Sequence, residues 1–199
     1  MIEHSAGTSP FLTERFDTAL AYASAIHREQ ERKGSRIPYI SHLLAVAAIA
    51  LENGADEDQV IAALLHDAAE DQGGIERLGD IRARFGEGVA AIVDHCTDTH
   101  EEPKPDWHPR KKAYIASLAA KPVRSLEVSL ADKTHNASVI NADLRAHGAA
   151  VWDRFTGRKD GTLWYYRALA DAFAVLVPGI AAQRFAHEVA EMEELAARF

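Results

Sequence analysis

Ala63-Leu64-Leu65-His66-Asp67-Ala68-Ala69-Glu70-Asp71 places four groups that bind metals or move protons inside an otherwise apolar run. Burying a charged side chain is costly unless it is paired or coordinates a metal, so this stretch predicts a cation held on the inner wall of a cleft, and with it an enzyme. Residues four apart on a helix are neighbours, which sets His66 over Glu70 and Asp67 over Asp71, while His66 and Asp67 diverge by about 100°. Leu64 and Leu65 face the core. Upstream, Asp56 with Gln59 three residues on forms a capping-box pattern, and Gly73-Gly74 is a stop, so the spacing predicts one helix from Asp56 to about Asp71.

Working outward, the pattern gives an all-α bundle in a single domain over residues 1–199. Ser9-Pro10 reads as an N-cap and first helical position of a helix running to about Glu29, after small, polar residues 1–8 that are expected to be disordered. Glu31 to Tyr39 is a loop, and Ile40 to Asn53 a core helix stopped by Gly54. Further helices are expected over Ile75–Phe85, Glu87–Thr97, Pro109–Ala119, Val123–Ala146, Thr162–Leu176 and Ile180–Arg198, with no alternating strand pattern. Asp98 to Trp107 is the longest polar loop and reads equally well as a flap over a site or as a plain surface connection.

The 199 residues are 47% hydrophobic and 26% charged, as in ordinary globular proteins. One cysteine, Cys96, and a start lacking the basic and apolar regions of a signal peptide predict a cytoplasmic protein. Leu43–Leu51, the longest apolar run, falls short of the roughly 20 residues that span a bilayer, so no membrane role is expected. A net charge of −8 disfavours nucleic acid as a partner. A pocket nevertheless feels mainly its own lining, because the Debye length is about 8 Å at physiological salt, and a local basic cluster can hold a small anion.

A second apolar segment, Leu126 to Asn136, is interrupted by Asp132, with Asn136 one turn further along the same face. His42 stands near the start of an otherwise apolar helix. Together His42, His66, Asp67 and Asp132 make a set of two imidazoles and two carboxylates with positions left for water or substrate. Such a set suits one Mn²⁺ or Fe²⁺ better than Mg²⁺, and Zn²⁺ has weaker support because there is neither a cysteine cluster nor a His-Glu-x-x-His pattern. His95, His100 and His135 are read as structural, with a supporting role beside the ligands as the alternative.

Arg32-Lys33-Gly34, Pro38-Tyr39-Ile40-Ser41-His42, Leu64-Leu65-His66-Asp67-Ala68-Ala69-Glu70-Asp71 and Leu130-Ala131-Asp132 with Asn136 together resemble the HD-domain phosphohydrolases. Within them the chain looks most like the alarmone hydrolases, the hydrolase domain of the RelA/SpoT stringent-response enzymes and their small stand-alone relatives. The resemblance covers roughly residues 15–140. It implies an HD-domain helical bundle that removes the 3′-pyrophosphate of (p)ppGpp, giving GDP or GTP and pyrophosphate. It also implies that His42, His66, Asp67 and Asp132 hold the metal, usually manganese, and that Glu70 and Asp71 orient and deprotonate the attacking water. Arg32, Lys33 and Lys104 would hold phosphates, and Asn136, Thr162 and Tyr166 would contact the nucleotide. Two alternatives stay open: hydrolysis of another phosphate ester, such as a nucleoside monophosphate or cyclic nucleotide, and a nucleotide sensor without turnover.

Overall fold

The computed structural model describes residues 12–101 and 103–199, and every regular element among them is helical apart from an isolated bridge between Glu31 and Pro38. Helix α1 (Glu14–Ile26) begins where Thr13 Oγ1 accepts a hydrogen bond from the Arg15 backbone N–H at 3.2 Å. It ends three residues short of Glu29. Ser9, Pro10 and the expected disorder over 1–8 lie outside the described residues.

Helix α2 (Ile40–Glu52) turns His42, Leu43, Val46, Ala47 and Ala50 inward. Helix α3 (Glu57–Leu65) opens on the expected capping box: the Gln59 N–H donates to Asp56 Oδ1 at 3.1 Å and the Asp56 N–H to Gln59 Oε1 at 3.0 Å. Every residue from Gln59 to Leu65 is buried, so this helix is enclosed all round rather than two-faced.

The single helix expected from Asp56 to Asp71 is interrupted. It stops at Leu65, and the one-turn α4 (Ala68–Asp71) starts after Asp67, whose φ and ψ of −95° and −2° leave the helical values. The Tyr39 hydroxyl donates to Asp67 Oδ2 at 2.6 Å and holds the carboxylate toward His66. His66 Nε2 and Asp67 Oδ2 lie 3.0 Å apart.

Helices α5 (Gly74–Phe85) and α6 (Glu87–Cys96) meet at Gly86, whose φ of +93° suits glycine alone. Helix α7 (Trp107–Ser117) starts two residues before Pro109, which fits within the first turn because no intrahelical partner is lost there. A short 3₁₀ turn at Leu118–Ala120 precedes α8 (Val123–His147). A second 3₁₀ segment, Gly148–Arg154, leads into α9 (Arg158–Leu176), which therefore begins one turn before Thr162, and α10 (Ile180–Ala196) follows.

Buried apolar side chains form two clusters. Helices α1 to α6 build the first and α7, α9 and α10 most of the second. Helix α8 belongs to both: Val128 and Ala131 pack into the first, Leu126, Leu130, Ala137, Ile140 and Leu144 into the second. Asp132 sits where α8 passes between them, which is why a carboxylate so deeply buried can face residues of α2 and α3. No helix among the described residues is long and apolar enough to cross a membrane.

Candidate active site

Helix α2 supplies His42, the break after α3 supplies His66 and Asp67, and α8 supplies Asp132. His42, His66 and Asp67 each offer a ligand atom within 4.8 Å of the others. Asp132 Oδ1 adds a fourth, 3.2 Å from His42 Nε2 and 3.4 Å from His66 Nε2, and the two Nε2 atoms are 3.3 Å apart. The four residues expected to bind metal are brought together.

The donor chemistry fits a cation. His66 Nδ1–H donates to the Ala63 carbonyl at 2.8 Å, which turns Nε2, the lone-pair nitrogen of the neutral ring, toward two carboxylates. Burial works against a charged imidazole at His66, yet Asp67 and Asp132 outweigh it and hold its pKa well above the ordinary value. Burial likewise works against the Asp67 and Asp132 carboxylates. His66 draws the first well below the usual range, while Lys133 and then His66 do so for the second. Two carboxylates facing two imidazole nitrogens in a buried pocket favour positive charge, and a divalent ion would meet that demand.

Supporting contacts surround the four. His42 Nδ1 lies 2.8 Å from His135 Nδ1, and burial, followed by His42 and Arg32, pushes the His135 pKa down to about 4. Of the three histidines left open by sequence, His135 therefore touches an expected ligand, whereas His95 pairs with Ser125 Oγ and His100 with Asp94. Lys133 Nζ reaches Asp132 Oδ2 at 2.6 Å, and Asn136 Nδ2 donates to Asp132 Oδ1 at 2.5 Å.

Glu70 and Asp71, on α4, line a cavity of about 610 Å³ next to these donors. Arg32, Lys33, Asn136, Thr162 and Tyr166 line it as well. The Arg32 guanidinium donates to Asn136 Oδ1 at 2.7 Å, so residues expected at the phosphate and nucleotide ends are linked to Asp132 through one chain of hydrogen bonds. Lys104 is placed differently. It lies over the acid pair, its Nζ 2.9 Å from Glu70 Oε1 and 3.7 Å from Asp71 Oδ1. The 98–107 segment is pinned at its start by Arg110 and Lys111, both of which bond to Asp98 Oδ2.

Several site residues carried no signal in the sequence. Arg110, Lys111 and Lys133 look like a solvated helix face, yet all three line the cavity. Tyr39 stood only as part of a motif, but burial and then Asp67 push its pKa strongly upward, so its hydroxyl keeps the proton it donates. The signal that was available is context: each of these residues lies within four positions of a group already singled out or of the 98–107 loop.

A helical bundle with two histidines and two acids gathered at a helix break defines a metal-site hydrolase architecture, and the chain belongs to the HD-domain family, whose model matches residues 19–163. It is 34% identical over 125 residues to the guanosine-3′,5′-bis(diphosphate) 3′-pyrophosphohydrolase MESH1 of Drosophila melanogaster, covering 61% of this chain and 67% of that protein. Over 121 residues it is 35% identical to MESH1 of Xenopus tropicalis, covering 59% of this chain and 65% of that one. A probable guanosine-3′,5′-bis(diphosphate) 3′-pyrophosphohydrolase of Synechocystis sp. is 34% identical over 132 residues, 62% of this chain but only 16% of that longer protein. In three dimensions the chain is similar to a solved metazoan ortholog of SpoT that hydrolyzes ppGpp, with a TM-score of 0.72, 25% identity, and coverage of 94% of this chain and 97% of that one. A solved protein from Listeria monocytogenes EGD-e matches with a TM-score of 0.65 and 28% identity over 78% of this chain and 99% of that one.

Proposed function

We propose that the chain, acting as one hydrolase unit, removes the 3′-pyrophosphate of (p)ppGpp, giving GDP or GTP and pyrophosphate, with manganese at His42, His66, Asp67 and Asp132. The observation that carries this reading is a cluster of four metal donors whose hydrogen-bond partners Tyr39, Lys133, His135 and Asn136 line a cavity together with Glu70, Asp71, Arg32 and Lys33. The activities named for the fly and frog relatives support the same substrate. Two imidazole nitrogens with two carboxylate oxygens favour Mn²⁺ over Mg²⁺. The free thiol of Cys96 agrees with action in the cytoplasm.

When bound, the ion supplies Lewis acidity toward a phosphoryl oxygen and lowers the pKa of a water molecule. The chain's own residues do the rest. Arg32 and Lys33 hold the substrate's phosphates by charge-assisted hydrogen bonds. Glu70 and Asp71 orient the water and accept its proton as its oxygen bonds to phosphorus. The bond from phosphorus to the ribose 3′-oxygen breaks, and that oxygen takes up a proton to become the free hydroxyl. Asn136, Thr162 and Tyr166 hold the nucleoside while this happens.

The test is product analysis after chelation and reconstitution. Pyrophosphate release from (p)ppGpp that requires added Mn²⁺, and that is lost together with metal binding in Asp67→Ala and Asp132→Ala, is the expected result. Orthophosphate release, turnover of nucleoside monophosphates or cyclic nucleotides in its place, or binding of (p)ppGpp without turnover overturns the reading.

A further inference from the structure

Trp107 opens α7 at the edge of the cavity and packs against the beginning of α9. A Cβ placed on Gly157 would stand 2.6 Å from Trp107 Cη2 and 2.8 Å from Cζ2, and one on Gly161 would stand 3.1 Å from Cζ3. The backbone needs neither glycine. Gly157 has φ −73° and ψ −6°, open to any residue, and Gly161 lies inside α9, where glycine weakens a helix relative to alanine. Four residues apart, the two form a notch on one face that the indole fills. Trp164 and Tyr165 stand edge-on to it, with ring centroids 6.3 and 6.1 Å away.

Only Pro105 and Asp106 separate Trp107 from Lys104, and Lys104 itself stands between Pro103 and Pro105. The proline rings fix φ at 103 and 105 and hold the residue before Pro105 extended. Asp106 continues the extended path at ψ 139°. So stiff a connection passes a movement of the indole on to the lysine.

We propose that Trp107, seated against Gly157 and Gly161, is a positioning residue that keeps Lys104 Nζ on Glu70 Oε1 and so sets the acid pair for the reaction. Its kinetic consequence rests on the hydrolase reading above, but the contact between Lys104 and Glu70 can be read without turnover.

Gly161→Ala is the informative substitution, because it crowds the indole while favouring the helix. It should lower kcat for (p)ppGpp about tenfold, the scale expected when a catalytic group is misplaced by a fraction of an ångström to one ångström, without lowering the melting temperature. Added to Lys104→Met it should cause no further loss. Wild-type kcat in Gly161→Ala, or additive losses in the double variant, overturns the proposal. Reductive methylation of the intact chain, followed by peptide mass spectrometry, reads the contact directly: Lys104 should react severalfold faster in Gly161→Ala and in Trp107→Phe. Unchanged reactivity overturns the positioning role whatever the substrate. Faster labelling in a chain that does not hydrolyse (p)ppGpp sinks the hydrolase reading alone.

Discussion

Lys104 Nζ lies 2.9 Å from Glu70 Oε1, so the lysine expected to hold the substrate's phosphates rests on an acid expected to activate the water. An ammonium has three N–H donors, so an arriving phosphate can share it with Glu70 and leave the acid in place. Lys104→Met removes the shared cation and should raise KM for (p)ppGpp about tenfold, a loss of ~1.4 kcal/mol. The salt dependence of KM should flatten as well, since one screened attraction is gone. Steady-state kinetics at two ionic strengths measure both, and an unchanged KM would assign the lysine to the acids alone.

The contact of 2.8 Å between His42 Nδ1 and His135 Nδ1 fixes the ring that presents Nε2 to the site. Partners of this kind orient a ligand and tune its basicity, and losing one typically costs 10–100-fold in metal affinity. His135→Ala should therefore weaken Mn²⁺ binding by about 10–100-fold while leaving helix content unchanged. Calorimetric titration of chelated protein with Mn²⁺ decides it, wild-type affinity being the adverse result.

Gln30 opposes the protonation of Asp71. Its Oε1 faces His27 Nδ1 and Gln72 Nε2, both at 2.6 Å, which orients the amide so that Nε2 donates to Asp71 Oδ2 at 2.9 Å. Desolvation, then Asp67, raise the Asp71 pKa above the usual carboxylate value, and the Gln30 amide opposes them. In the proposed reaction the water-activating form is the carboxylate, so activity should fall as pH drops through that raised pKa. Gln30→Leu removes the opposing donor, and the acid limb of kcat should move to higher pH. A limb that stays in place or moves lower would show that Asp71 is not the group being titrated.

Much of this site could be read from sequence because its ligands break apolar patterns: an acid at Asp132 between Leu130 and Ile140, and His42 beside Leu43 and Val46, are anomalies that periodicity exposes. The break at His66–Asp67 could not be read, since no glycine or proline marks it and a tertiary contact from Tyr39 accompanies it. Arg110 and Lys111 were hidden for the opposite reason. Two basic residues on a polar helix look solvated, and only the fold brings the buried carboxylate of Asp98 beneath them. In sequence Trp107 reads as the end of a loop because Pro109 offers a natural helix start, whereas the helix begins at Trp107 itself.

The capping box at Asp56 was legible and makes a prediction about stability apart from chemistry. Its carboxylate satisfies the Gln59 N–H at one end of α3, and the exposed Arg124 pairs with it. Asp56→Ala should cost about 1 kcal/mol, the usual value of an N-cap, and lower the melting temperature by roughly 2–4 °C for a chain of this size. His66 follows the other end of the helix, ten residues on or about 15 Å at 1.5 Å per residue. Fraying the first turn leaves the buried stretch from Val60 to Leu65 in place, because apolar packing rather than the cap holds it. The variant should melt earlier in a calorimetric scan yet keep wild-type kcat at 25 °C, and a fall in kcat larger than threefold would mean that the start of α3, and not only its packed end, sets the position of His66.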